Sequence, residues 1–129
     1  MISARNIDSE FDQITEHWSP RVVADANGQS VKLAKLKGEF VWHDHADEDE
    51  VFIIWRGALT IRYRDREDVH LREGDVHVVP RGVQHFPVAE EECWVMLVEP
   101  AETKHTGDVV AEKTKSVDEQ RAHLAQREA

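Results

Sequence analysis

From Arg21 to Val98 the apolar positions come in short β-branched and aromatic runs, separated at close intervals by turn residues. That pattern predicts an all-β sandwich or barrel. Arg21-Val22-Val23-Ala24 and Ser30-Val31-Lys32-Leu33-Ala34 flank Asn27-Gly28, and this dipeptide between two strand-like runs predicts a tight hairpin. Further runs cover Phe40 to His45, Glu50 to Trp55, Ala58 to Arg64, Asp68 to Leu71, Val76 to Val79, His85 to Val88 and Glu92 to Val98. Gly38, Gly57, Asp65, Gly74 and Pro80-Arg81-Gly82 punctuate them. No long helical period interrupts the series, which argues against the alternating strands and helices of a parallel sheet.

The two ends read differently. Ile7, Phe11, Ile14 and Trp18 recur at helical spacing ahead of Pro20, but Ile14 and Trp18 fit an extended edge segment equally well. Ser116 followed by Glu119 is a capping-box pattern and predicts a short C-terminal helix in the charged stretch ending at Ala129. At 129 residues the whole chain, 1–129, is expected to form a single domain with its barrel core at about 21–98 and terminal segments 1–20 and 99–129.

Composition narrows the partners. Hydrophobic residues at 40% against 33% charged fit a globular protein. No apolar run approaches the roughly 20 residues needed to cross a bilayer. The first dozen residues carry acids and lack an apolar stretch after a basic start, so no secretory signal is visible and a cytoplasmic location is expected. A formal net charge of -10 disfavours nucleic acid and anionic membranes, which are bound through clustered Lys and Arg. A neutral or cationic small molecule, or a metal, suits it better. The single cysteine, Cys93, excludes an internal disulfide and reads as a small core residue in Cys93-Trp94-Val95-Met96-Leu97-Val98.

The candidate chemistry lies between Phe40 and Ile54. With alternate side chains of a strand sharing a face, His43 and His45 point the same way with Val41, while Trp42 and Asp44 take the other face. The returning strand opens with Glu50, whose face continues through Phe52 and Ile54. Two imidazoles and an ionised carboxylate facing an apolar interior are costly to bury unpaired, and a divalent cation removes that cost. Glu48 and Asp49 compete with Glu50 for this role, but the position just before Val51-Phe52-Ile53-Ile54 favours Glu50.

Gly38-x4-His43-x-His45-x4-Glu50-x6-Gly57, followed by Gly74-x5-Pro80-x-Gly82-x2-His85, resembles the two signature motifs of the cupin superfamily. The resemblance implies an antiparallel jelly-roll β-barrel. It also implies that His43, His45, Glu50 and His85 hold one metal ion. Two positions depart from the usual pattern: four rather than five residues separate Gly38 from His43, and Ala89 stands where the second motif commonly has Asn. Neither removes a ligand.

Three imidazoles and a carboxylate, with no thiolate, suit divalent Mn, Fe, Ni, Co, Cu or Zn. Val41, Phe52 and Ile54 are expected beside the ligands, giving a largely apolar wall for a small organic ligand with one or two oxygen donors. The resemblance implies metal-dependent chemistry on such a molecule, as an oxygenase, isomerase or lyase. Small cupins of this conserved-barrel kind often take a name from mannose-6-phosphate isomerase, yet no Gly-rich phosphate cradle is visible, and Arg56, Arg62, Arg64 and Arg81 read as surface charge. Similarity to cysteine dioxygenase is poor because the first-motif Glu is present. The competing reading is a metal-dependent binding or sensing module without turnover, and a third makes the metal a structural pin. The acidic turn Asp44 to Asp49 reads as solvated loop, and His70 and His77 as ordinary histidines. No chemistry is assigned to His17, His105 or His123. Outward-facing Trp42, Ile53 and Trp55, together with the resemblance, predict a homodimer.

Overall fold

The computed structural model describes residues 3–103 and 116–128. A short helix, α1 (Ile7–Asp12), precedes seven strands: β1 (Arg21–Ala26), β2 (Gln29–Glu39), β3 (Glu50–Arg56), β4 (Ala58–Tyr63), β5 (Val69–Arg72), β6 (Val76–Val79) and β7 (His85–Pro100). Helix α2 (Val117–Glu128) follows. The predicted hairpin forms: Asn27 and Gly28 have φ of 53° and 76°, and Ala26 faces Gln29 across them. Positive φ at both loop positions matches the twist of the flanking strands.

Strand β7, 16 residues long, organises the sheet. β2 pairs along most of one edge. On the other edge β3 pairs with Trp94 to Val98 and β4 with His85 to Val88. β5 lies against β4 and β6 against β3 in the same manner. Thus β3 and β4 form one ribbon bent at Gly57, and β5 and β6 form a second bent near Gly74. β7 bends too, because Leu36 pairs with Cys93 and Gly38 with Ala89, so Lys37 alone faces Glu90, Glu91 and Glu92. The bends fall on one line. A Cβ at Gly57 would sit 2.9 Å from the Glu92 carbonyl oxygen, and the Gly74 amide donates to the Ile54 carbonyl at 2.9 Å. Bulges and glycines of this kind let a sheet turn a corner, and here they crease it so that it folds over its own inner face. The pairing path ends at β1 and β6 without joining them, so the jelly-roll sheet is not closed.

Two expected runs change. His85 to Val88 and Glu92 to Val98 are the two arms of a single bent strand. Phe40 to His45 is not a strand, since only His43 makes an isolated bridge, to His85. The Phe40 amide still reaches the Pro87 carbonyl, but from there to the His43–His85 bridge this segment advances three residues against two in β7. That extra residue breaks the ladder.

Apolar side chains separate onto the two faces. The inner cluster includes Ala34, Leu36, Phe52, Ile54, Leu59, Ile61, Val95 and Leu97. The outer one is built by Phe11 and Ile14 against Val23, Leu33, Trp55 and Trp94. Trp18 belongs to the inner cluster while Phe11 and Ile14 belong to the outer one. This explains the double reading of the N-terminal periodicity, because the chain crosses from one face to the other within it. The predicted capping box forms at α2: the Glu119 amide donates to Ser116 Oγ at 3.1 Å and the Ser116 amide to Glu119 Oε1 at 3.3 Å. This helix is held largely by polar contacts. Lys32 Nζ donates to Gln120 Oε1 at 2.6 Å, Arg121 pairs with Asp25, and His123 Nε2 donates to the Val22 carbonyl at 2.6 Å. No described helix is long and apolar enough to cross a membrane.

Candidate metal centre

Folding the sheet at its crease brings together the ends of the ribbons farthest from it. Glu50 opens β3, His85 opens β7, and the irregular segment after β2 carries His43 and His45 between them. His43 and His85 exchange backbone hydrogen bonds at 3.1 and 2.9 Å. The Pro80-Arg81-Gly82 loop is tied to the same segment, with the Gly82 amide donating to the His45 carbonyl at 2.8 Å and the Arg81 amide to Asp49 Oδ1 at 2.8 Å. Each of the four side chains offers one ligand atom, and these atoms lie within 4.8 Å of one another. All four residues are at most 3% exposed. Glu48 is half-buried and Asp49 exposed, so the carboxylate inside is the one at position 50.

The tautomers follow from the backbone. His43 Nδ1 lies 2.9 Å from the Val41 carbonyl and His85 Nδ1 2.9 Å from the Val83 carbonyl. A carbonyl only accepts, so both Nδ1 atoms carry the proton and each Nε2 presents its lone pair, as a metal ligand must. Nε2 of His45 and of His85 each stand 3.6 Å from Glu50 Oε1, too far for a hydrogen bond. Both nitrogens are buried without any hydrogen-bond partner. Orphaned buried imidazole nitrogens around a carboxylate, at separations open enough for an ion with bonds of about 2.1 Å, fit a divalent transition metal.

Electrostatics separate the rings. Burial, aided by the neighbouring His85, pushes His43 down to about 4. Burial also acts against charge on His45, but Glu50, with Glu48 and Asp44, outweighs it and raises that ring above its ordinary value. Glu50 is held well below the usual carboxylate range: burial works against its charge, and His45 and His85 overcome it.

The cupin-domain family profile matches residues 30–99, more than half of the chain and all four of these side chains. The chain belongs to the cupin family. A cupin-2 domain containing protein from Shewanella frigidimarina NCIMB 400 is 49% identical, with a TM-score of 0.72 over 74% of this cupin and 93% of that chain. Protein NMB1881 from Neisseria meningitidis is 31% identical, with a TM-score of 0.71 over 76% and 99% of the respective chains. The uncharacterized protein YdbB of Bacillus subtilis (strain 168) is 32% identical over 85 residues, 66% of this cupin and 75% of that protein.

Of the wall residues expected from sequence, Phe52 lines the cavity beside His43 and Glu50, while Val41 and Ile54 do not. They belong with the inner core instead. The cavity leaves about 30 Å³ open to the centre of a water-sized sphere, or about 380 Å³ when the open space at its mouth is counted, and is otherwise lined by apolar side chains, Trp18, Phe40 and Leu97 among them. His70 is exposed on β5, bonded to Thr60 Oγ1 at 3.0 Å, and His17 pairs with Glu92. His105 lies outside the described residues. His77 is half-buried and bonded to the Tyr63 hydroxyl at 2.7 Å. Burial pushes that phenol up to about 12 and, likewise, the Cys93 thiol to about 12.

Sequence reasoning missed Glu99 and Lys32, which form a fully buried ion pair at 2.8 Å. Burial raises Glu99 well above the carboxylate range, the nearby Glu50 adds to the shift, and Lys32 partly offsets it. The signal was present: continuing the inward alternation of Cys93, Val95 and Leu97 by two residues reaches Glu99.

Proposed function

We propose that this cupin binds one divalent transition metal ion (Mn, Fe, Ni, Co, Cu or Zn) through His43, His45, Glu50 and His85. We further propose that it acts with that ion on a small organic molecule, as an oxygenase, isomerase or lyase. The observation that carries the reading is the pair of buried, partnerless Nε2 atoms facing one carboxylate oxygen. A bound ion supplies Lewis acidity or redox chemistry at coordination positions the protein leaves open. The chain's own residues do the rest. Val41 and Val83 carbonyls fix the tautomers of His43 and His85, Glu50 supplies the negative charge that offsets a dication, and the apolar cavity excludes water from a bound molecule.

Elemental analysis of protein purified without chelator should give about one transition-metal ion per chain, with His85→Ala reducing it severely. Protein that folds normally and takes up no metal under any loading condition overturns the assignment. A second reading, a binding or sensing module without turnover, is favoured by the cavity lining, which among the described residues holds no acid or base besides His43 and Glu50. Saturable binding of a small molecule by metal-loaded protein, with no product formed across a library, would establish it.

A further inference from the structure

Trp18 is placed in a way that filling a core does not require. Its φ of 60° lies in the left-handed region, which is strained for a bulky residue and persists only where the surroundings enforce it. Two hydrogen bonds do so: the Trp18 amide donates to the Lys35 carbonyl at 2.9 Å and its indole Nε1 to the Lys37 carbonyl at 2.8 Å. The effect is to turn the ring in from the segment before β1 and lay it on Phe40, with centroids 4.6 Å apart and planes 9° from parallel. Trp18 thereby joins Pro20, Phe40, Phe52, Pro87 and Leu97 around the cavity in which, among the described residues, His43 and Glu50 are the only titratable side chains.

We propose that Trp18 is a specificity-determining wall of this cavity, selecting molecules with a flat apolar body behind a small oxygen-donor head. The inference rests on the metal reading above, because the head is taken to meet the ion. Hydroxyls or a phosphate along the body of a ligand would leave water and find no partner on this lining, whereas an aromatic ring would exchange water for apolar contact. The indole donor is already committed to Lys37, so Trp18 offers the cavity its ring surface rather than a hydrogen bond.

Mandelate and glycolate test this, since they share an α-hydroxycarboxylate head and differ by a phenyl ring, so the contribution of the metal cancels in their ratio. In metal-loaded, full-length protein mandelate should bind about tenfold more tightly or better. Trp18→Ala should cut that preference several-fold while leaving metal content in place, and Trp18→Phe should retain most of it. Fully metal-loaded protein that binds the two acids equally overturns the inference and leaves the metal reading standing. A preference unchanged in Trp18→Ala does the same. If Trp18→Ala does not fold, the ratio in unaltered protein and in Trp18→Phe still decides. A chain that takes up no metal overturns both.

Discussion

His43 and His45 are two residues apart, yet their surroundings drive their protonation in opposite directions, His43 down to about 4 and His45 upward. Only a neutral ring ligates, so acid limits metal binding at His45 before it does at His43. As pH falls through its raised value, above the ordinary 6.5 or so, a proton competes with the ion at His45 well before it does at His43, which remains neutral down to about 4. Metal affinity should therefore decline with pH along a slope of fewer than three protons per ion between pH 7 and 5, because His43 takes up none there. Calorimetric titration across that range checks it, and a slope near three would refute the separation of the rings. That His43, His45, Glu50 and His85 come together was legible from the motif spacing, and the inward face of Glu50 from alternation along β3, whereas His43 and His45 face inward although their segment is no strand. Their unequal protonation was not legible, since it depends on burial, aided by His85, prevailing at His43 while Glu50, with Glu48 and Asp44, outweighs burial at His45.

At the scale of elements, most strands were legible because their boundaries fall at Gly, Pro and Asp, whose backbone preferences are local. The continuity of β7 and the loss of a strand at Phe40–His45 were not, since both follow from registry with partners distant in sequence. The same holds for α2. Its capping box is local, but its docking depends on Lys32, which reaches Glu99, Gln120 and the Thr103 carbonyl from the inner face of β2. Lys32→Met should take from buried Glu99 its cationic neighbour, and from Gln120 and the Thr103 carbonyl their buried donor, and destabilise the protein by about 3–5 kcal/mol. The double change Lys32→Met with Glu99→Leu should recover much of that loss. Denaturant unfolding of the metal-free proteins reads both, and equal losses in the single and double variants would count against an ion pair at this position.

For the molecule as a whole, α1 covers part of the outer face, where Trp55 donates to Asp8 at 2.9 Å. The covering stops short of β6, whose Val76 and Val78 are 65% and 46% exposed and continue onto half-buried Val51 and Ile53 by cross-strand pairing. β6 also ends the pairing path of the sheet. We expect this apolar face to be buried in a homodimer. Sedimentation should show a dimer at micromolar concentration, Val76→Lys with Val78→Lys should give a monomer that still binds metal, and unaltered protein that is wholly monomeric would reject the expectation. The crease has a mechanical corollary. Glu50 sits at the far end of β3 from Gly57, an arm of roughly 20 Å at about 3.3 Å per residue. Opening the crease by five degrees would displace the tip of such an arm by roughly 2 Å, whereas metal–ligand distances hold to within about 0.2 Å. The backbone at Gly57, packed against Glu92 and Cys93, would thus act as the fulcrum of a caliper, gauging the proposed ion without touching it.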